Sequence, residues 1–302
     1  MLTLARHLLS QRRVVAGFGQ VMFDALRHAR ERAGSPNAVP GPEIQVRIEP
    51  PGAALIADYL TNVGGVSNRY SGKIPPHLFP QWSFGPLVQC LRSTRYPLTR
   101  ALNVGCRLQM NAPLSSSHAL DVRARLLEVR DEGGRVVLHA QVTTGQAAHP
   151  EALVADLYAL VPPRRSRDES NGIARPGREK PSVPPGAHAL ERFSLERSAG
   201  LRFAFLTGDV NPIHWLAPYA RAAGFTGPIL HGFALLARSF EALARSCFER
   251  EPEGLRSLDV RFIRPLPLPA VVTLYVERDA LYVGEGPGTL AYMTGTFSGR
   301  HS

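Results

Sequence analysis

The chain has 302 residues, of which 44% are hydrophobic and 20% charged; it can bury a large core and is too apolar to be disordered. No apolar run approaches the ~20 residues of a membrane-spanning helix, and three cysteines without a Cys-x-x-Cys spacing exclude a zinc ribbon or a disulfide framework. A net charge of +10 would suit a nucleic-acid surface, but it is scattered arginine, with Lys73 and Lys180 the only lysines, so no nucleic-acid partner is expected.

Residues 1–44 open with Leu4, Leu8, Val15, Phe18, Met22 and Leu26 near helical spacing, with arginines between them. This predicts a helical arm packed on the body, although a membrane-surface helix would show the same pattern. The start is basic and acid-poor up to Asp24, as transit peptides are, but has no signal-peptide cleavage pattern. A cytoplasmic protein without stable membrane insertion is the expectation.

A first α+β unit is predicted over residues 45–162. Val46 and Ile48 alternate with polar residues as in a short strand, and Ala53 to Leu60 can form one or two helical turns. Trp82 to Leu91 reads as a buried helix opened near Gly85-Pro86, with an acyl-chain channel as a second role for its apolar side chains. Leu102 to Met110, Ala119 to Val129, Arg135 to Thr143 and Val154 to Val161 read as strands, and Asp131-Glu132-Gly133-Gly134 as a hairpin turn. Residues 163–187 hold hardly any large apolar side chain and predict an exposed linker.

The second unit spans residues 188–302. Phe233, Leu236, Phe240, Leu243, Cys247 and Phe248 recur every three or four residues, predicting a helix with one strongly apolar face, stopped by Pro252-Glu253-Gly254. Strands are predicted at Leu258 to Phe262, Val271 to Arg278 and Thr289 to Phe297. The units rhyme. Arg107 to Leu114 can be laid over Arg261 to Leu268, and Leu60-Thr61 over Leu206-Thr207. That alignment sets Val63 opposite Asp209 and Asn68 opposite His214, so only the second unit carries an acid and an imidazole.

Those two groups lie in the stretch that concentrates the chemistry, Phe205 to Gly232. Asp209 and His214 flank Asn211-Pro212, and proline disfavours the α conformation for Asn211, so a shaped loop is expected to aim both groups into one cavity. A carboxylate and an imidazole in one site suit general acid–base catalysis. His231 precedes Gly232 at the mouth of the apolar-faced helix, where free N–H groups can hold a developing enolate oxygen. Proton chemistry beside a carbonyl follows, such as adding water to an α,β-unsaturated thioester.

The full string resembles the hydratase-2 signature of the MaoC-like dehydratases, or (R)-specific enoyl-CoA hydratases. It matches at Leu206-Thr207-Gly208-Asp209, Asn211-Pro212-Ile213-His214, Ala220, Gly224-Phe225, Pro228-Ile229 and His231-Gly232, with Val260-Arg261-Phe262 and Arg264-Pro265 downstream. The resemblance implies an α+β double hot-dog fold, two repeats each wrapping an antiparallel sheet around a helix, with a degenerate first repeat. It also implies that Asp209 and His214 position and activate water, that the Gly232 N–H holds the thioester carbonyl and that Asn211 supports the loop. Leu216, where the family often has an acid or amide, and Leu268-Pro269-Ala270, in place of a common Gly-Asp turn, depart from the pattern.

The expected activity is cofactor-free and metal-free hydration of trans-2-enoyl-CoA to the (R)-3-hydroxyacyl thioester in fatty acid metabolism. His231, Pro228, Arg261 and Arg264 are candidate substrate contacts, the arginines for CoA phosphates. Dehydration of acyl-carrier-protein thioesters, a hot-dog thioesterase and a non-catalytic acyl-thioester binder are alternatives, and homodimerisation is left open.

Overall fold

In a computed structural model, the structure describes residues 7, 39–92, 94, 96, 98, 101–132, 135–161, 180–248 and 252–299. Most of the expected arm, much of the expected linker and the Gly133-Gly134 turn lie outside the described residues. His7 is buried in the arm, with Nε2 2.7 Å from Asp58 Oδ2.

The first half contains β1 (Ile44–Ile48), α1 (Ala53–Val63), β2 (Lys73–Ile74), α2 (Pro80–Leu91), β3 (Leu102–Met110), β4 (Leu114–Ser115), β5 (Leu120–Glu132), β6 (Arg135–Gln146) and β7 (His149–Val161). The second contains β8 (His188–Leu195), α3 (Ala199–Thr207), α4 (Ala217–Ala222), α5 (Gly232–Cys247), β9 (Leu255–Phe262), β10 (Ala270–Glu277), β11 (Ala280–Gly284) and β12 (Met293–Gly299). The long strands form one 10-stranded antiparallel sheet in the order β1-β5-β6-β7-β3-β9-β12-β11-β10-β8. The second five mirror the first. α2 packs against β1, β5 and β6, and α5 against β8 and β9, so each helix lies on the sheet of its own half.

The repeat also sets the register at the centre. With Arg107 laid over Arg261, Gly105 is equivalent to Asp259. The sheet pairs Gly105 with Arg261 and Arg107 with Asp259, so the halves exchange about the Cys106–Val260 pair. At the helices the alignment needs correction. α1 ends at Gly64 (φ 82°) and α3 at Gly208 (φ 79°), both left-handed caps, and each is followed by a 3-10 turn, Ser67–Tyr70 and Pro212–His214. Structurally, Gly65 therefore stands for Asp209 and Tyr70 for His214. Val63, set opposite Asp209 by the sequence match, is a core residue on the last turn of α1.

Two further differences have simple causes. Helix α2 runs through Pro86 without opening, and its Trp82, Val88, Cys90 and Leu91 are core side chains. The end of the expected linker is not exposed. Val183 is fully buried beside Ala187 and Tyr275, and its N–H donates to the Thr289 carbonyl at 2.9 Å, because one apolar side chain suffices to anchor a polar segment on the sheet. No helix among the described residues is long and apolar enough to cross a membrane.

Candidate active site

The αL turn at Gly208 ends α3 and throws the chain outward, so that Asp209 leaves the helix at its C-terminal edge. Asp209 Oδ1 accepts the Asn211 N–H at 3.4 Å, and Asn211 Oδ1 accepts the Ile213 N–H at 3.3 Å. Asn211 is extended (ψ 121°), as the following proline dictates, and Pro212–His214 closes a 3-10 turn. Asn211 thus shapes the loop, as expected of a supporting residue.

This loop returns His214 toward α3, where Gly200 lets the backbones touch. A Cβ on Gly200 would lie 2.0 Å from the His214 carbonyl oxygen. No sequence pattern marked Gly200.

The His214 ring is oriented from a third element. Its Nδ1 lies 2.8 Å from the Ile229 carbonyl, which can only accept, so Nδ1 carries the proton and Nε2 keeps a free lone pair. Ile229 is held in turn because Leu230 N–H donates to the Leu266 carbonyl and Leu268 N–H to that of Pro228 (2.8 and 2.9 Å). Buried Pro228 therefore positions this segment through its carbonyl.

His231 completes the cluster. It caps the start of α5, its ring stacks on His214 with centroids 3.5 Å apart, and its Nε2 lies 3.0 Å from the Asp209 carbonyl. The same nitrogen is 3.9 Å from Asp209 Oδ2, while Nδ1 is buried without a hydrogen-bond partner. Burial raises the Asp209 carboxyl above its ordinary range, and the nearby imidazole only partly opposes this. Burial likewise lowers His214, and lowers His231 well below the normal imidazole value, with the neighbouring His214 adding to the latter. The arrangement favours neutral imidazoles beside a carboxyl that holds its proton more tightly. One ligand atom from each of Asp209, His214 and His231 lies within 4.8 Å of the others, so these residues are also the described group that could hold a metal ion.

Gly232 begins α5, whose first N–H groups have no carbonyl one turn back. A Cβ there would lie 2.9 Å from the Phe262 ring, so the glycine admits that ring against the helix start. Phe262 faces α5, which turns the adjacent Arg261 to the opposite side of the sheet. Arg264 donates to the Leu290 carbonyl at 2.8 Å and lies 3.6 Å over the Tyr292 ring. Neither arginine joins the Asp209–His214 cluster. A surface cleft of about 650 Å³, lined by Arg192, Pro267, Val271, Glu285 and Tyr292, does not include the cluster either.

The chain is similar to several known proteins. Residues 187–288 match the family described as MaoC like domain. A 3-hydroxyacyl-thioester dehydratase X of Mycobacterium tuberculosis is 26% identical over 79% of this chain and 81% of its own. The enoyl-CoA hydratase ChsH3 of the same organism is 25% identical over 55% of this chain and 56% of its own, so the chain spans little more than half of that relative. Among solved structures, HtdX of M. tuberculosis superposes with a TM-score of 0.67 at 20% identity, covering 86% of this chain and all of that one. A further M. tuberculosis protein described as having a double hot-dog fold gives 0.53 at 11% identity, covering 85% of this chain and 95% of its own. Residues 187–288 are thus a MaoC-like domain, and the doubled helix-wrapping sheet has the double hot-dog fold of these solved structures.

Proposed function

We propose that the protein is a hydro-lyase that reversibly hydrates trans-2-enoyl-CoA to the (R)-3-hydroxyacyl thioester. The observation that carries this is the free Nε2 lone pair of a neutral, buried His214 beside Asp209 at the start of α5. Water held between the two groups gives a proton to His214 Nε2 as its oxygen bonds to the β-carbon. The C=C electrons move toward the thioester oxygen, which the Gly232 N–H stabilises. As the enolate collapses, the α-carbon takes a proton from the Asp209 carboxyl, and proton return from His214 to Asp209 restores the site. Dehydration reverses each step. The named relatives, a 3-hydroxyacyl-thioester dehydratase and an enoyl-CoA hydratase, support the reading.

Side chains and one backbone N–H suffice for this scheme. Because the first half has Gly65 and Tyr70 at the positions of Asp209 and His214, we assign one catalytic site per chain. The test is loss of the conjugated thioester of crotonyl-CoA and of a longer enoyl-CoA. Wild type should hydrate at least one of them. Asp209→Asn and His214→Ala should each lose about a hundredfold or more. Undiminished variants would overturn the site, and release of free thiol would mark a thioesterase instead.

A further inference from the structure

A second cavity is lined mainly by the first half, with Glu253 and Arg256 of the second. It measures about 250 Å³, and Tyr70, the structural counterpart of His214, forms part of its wall. Chemistry like that of the second half is excluded there, because the Tyr70 hydroxyl donates to buried Glu241 at 2.7 Å and no acid stands at Gly65. The rest of the lining has two characters. Ile74, Met110 and Leu153 are apolar and buried, whereas Arg69 and Arg256 are cationic.

Among the described residues no carboxylate forms an ion pair with either arginine. Arg69 lines the cavity, and its buried Nη1 has no hydrogen-bond partner among the described residues. Arg256 Nη1 donates to the carbonyls of Met110 and Asn111 (3.3 and 3.2 Å), which are uncharged. Lys73, also at the cavity, is already paired with Glu253. Cationic groups beside an apolar wall fit an anion with an apolar body. The volume falls below the ~300 Å³ at which drug-sized ligands begin to fit, so a nucleotide is too large.

We propose that this first-half cavity binds a small organic carboxylate with a short hydrocarbon or aromatic body, its carboxylate on Arg69 and Arg256, at a site separate from the acid–base cluster. The inference goes beyond the hydro-lyase reading and stands without it.

Calorimetric titration of the full chain with hexanoate tests it, with hexan-1-ol and inorganic phosphate as separate arms. Hexanoate should bind once per chain with a Kd of about 1 mM or tighter, given the few kcal/mol that so few atoms can supply. The alcohol and phosphate should each bind at least about tenfold more weakly, since each lacks half of the match. Arg69→Gln should weaken hexanoate about tenfold or more, and Asp209→Asn should leave it unchanged. Should Arg69→Gln fail to fold by circular dichroism, Ala112→Leu, which narrows the cavity, should do the same. No hexanoate binding, binding lost in Asp209→Asn, binding indifferent to the cavity variants, or phosphate or the alcohol binding as tightly as hexanoate would overturn the proposal.

Discussion

The His231 ring lies nearly parallel to that of His214, 3.5 Å between centroids and 24° between planes, while its Nε2 holds the carbonyl of Asp209. One side chain thus braces both members of the acid–base pair, from the residue that caps α5. His231→Ala would leave a hole beside His214 and release the Asp209 backbone. Misplacing reacting groups by about 1 Å costs on the order of a hundredfold. The expected outcome is a fall in kcat of about ten- to a hundredfold with KM little changed, read from the crotonyl-CoA assay. A rise in KM at constant kcat would instead make His231 a substrate contact.

Gly200 gives an independent handle on the same geometry. Its added Cβ would meet the His214 carbonyl at 2.0 Å, a contact with backbone that cannot swing aside. Gly200→Ala should displace the His214 turn and cost about 1–3 kcal/mol of stability, as overpacking does, together with at least about tenfold in kcat/KM. Urea unfolding and steady-state kinetics on the same preparation check both effects. At Gly232 the three atoms nearest to an added Cβ all belong to the Phe262 ring, so Gly232→Ala should be eased by Phe262→Leu, whereas Gly200→Ala has no such rescue.

How far the sequence reaches can be judged residue by residue. The three-to-four-residue apolar rhythm from Phe233 to Phe248 placed α5, and Asn211-Pro212 placed the shaped loop, because both signals are local. Gly200 was illegible because a glycine inside a helix looks like a cost until the distant His214 turn is known to press on it. β11 was missed since the turn before it puts Arg278 at φ 57° without a glycine to mark it. β8 was missed because its burial is confined to a few positions such as Phe193 and Leu195. The two-residue error in the helical part of the repeat came from trusting Leu-Thr identity over the glycine caps, which carry the backbone constraint. Arg69 and Tyr70 offered no pattern at all; only the tertiary structure gathers them around a cavity.

The shifts at the acid–base pair make a pH prediction. His214 must be neutral to accept a proton, and burial holds its folded pKa below the ordinary 6.5, with Asp209 partly opposing. The acid limb of kcat/KM for crotonyl-CoA should therefore lie below pH 6.5. An acid limb at or above 6.5 in wild type would contradict a buried, neutral base.

The last prediction concerns the seam between the halves. Glu241 on α5 is fully buried, and its Oε1 accepts from Tyr70 at 2.7 Å and lies 2.9 Å from His77 Nε2, both of the first half. Burial alone would raise this carboxyl, but the hydrogen bonds from His77 and Tyr70 outweigh it and leave the pKa below the ordinary 4.5. A depressed carboxyl contributes stability that is fully present above its unfolded value and is lost as pH falls through the folded one. Thermal stability should therefore gain from Glu241 at neutral pH and lose that gain below about pH 4.5. Glu241→Ala leaves His77 and Tyr70 without their shared acceptor in a closed interior, and removing one partner of a buried pair costs about 3–5 kcal/mol. Comparing urea midpoints of wild type and Glu241→Ala at pH 7 and pH 4 checks the sign. The gap should be wide at pH 7 and narrower at pH 4, because protonation weakens in the wild type the interaction that the variant lacks.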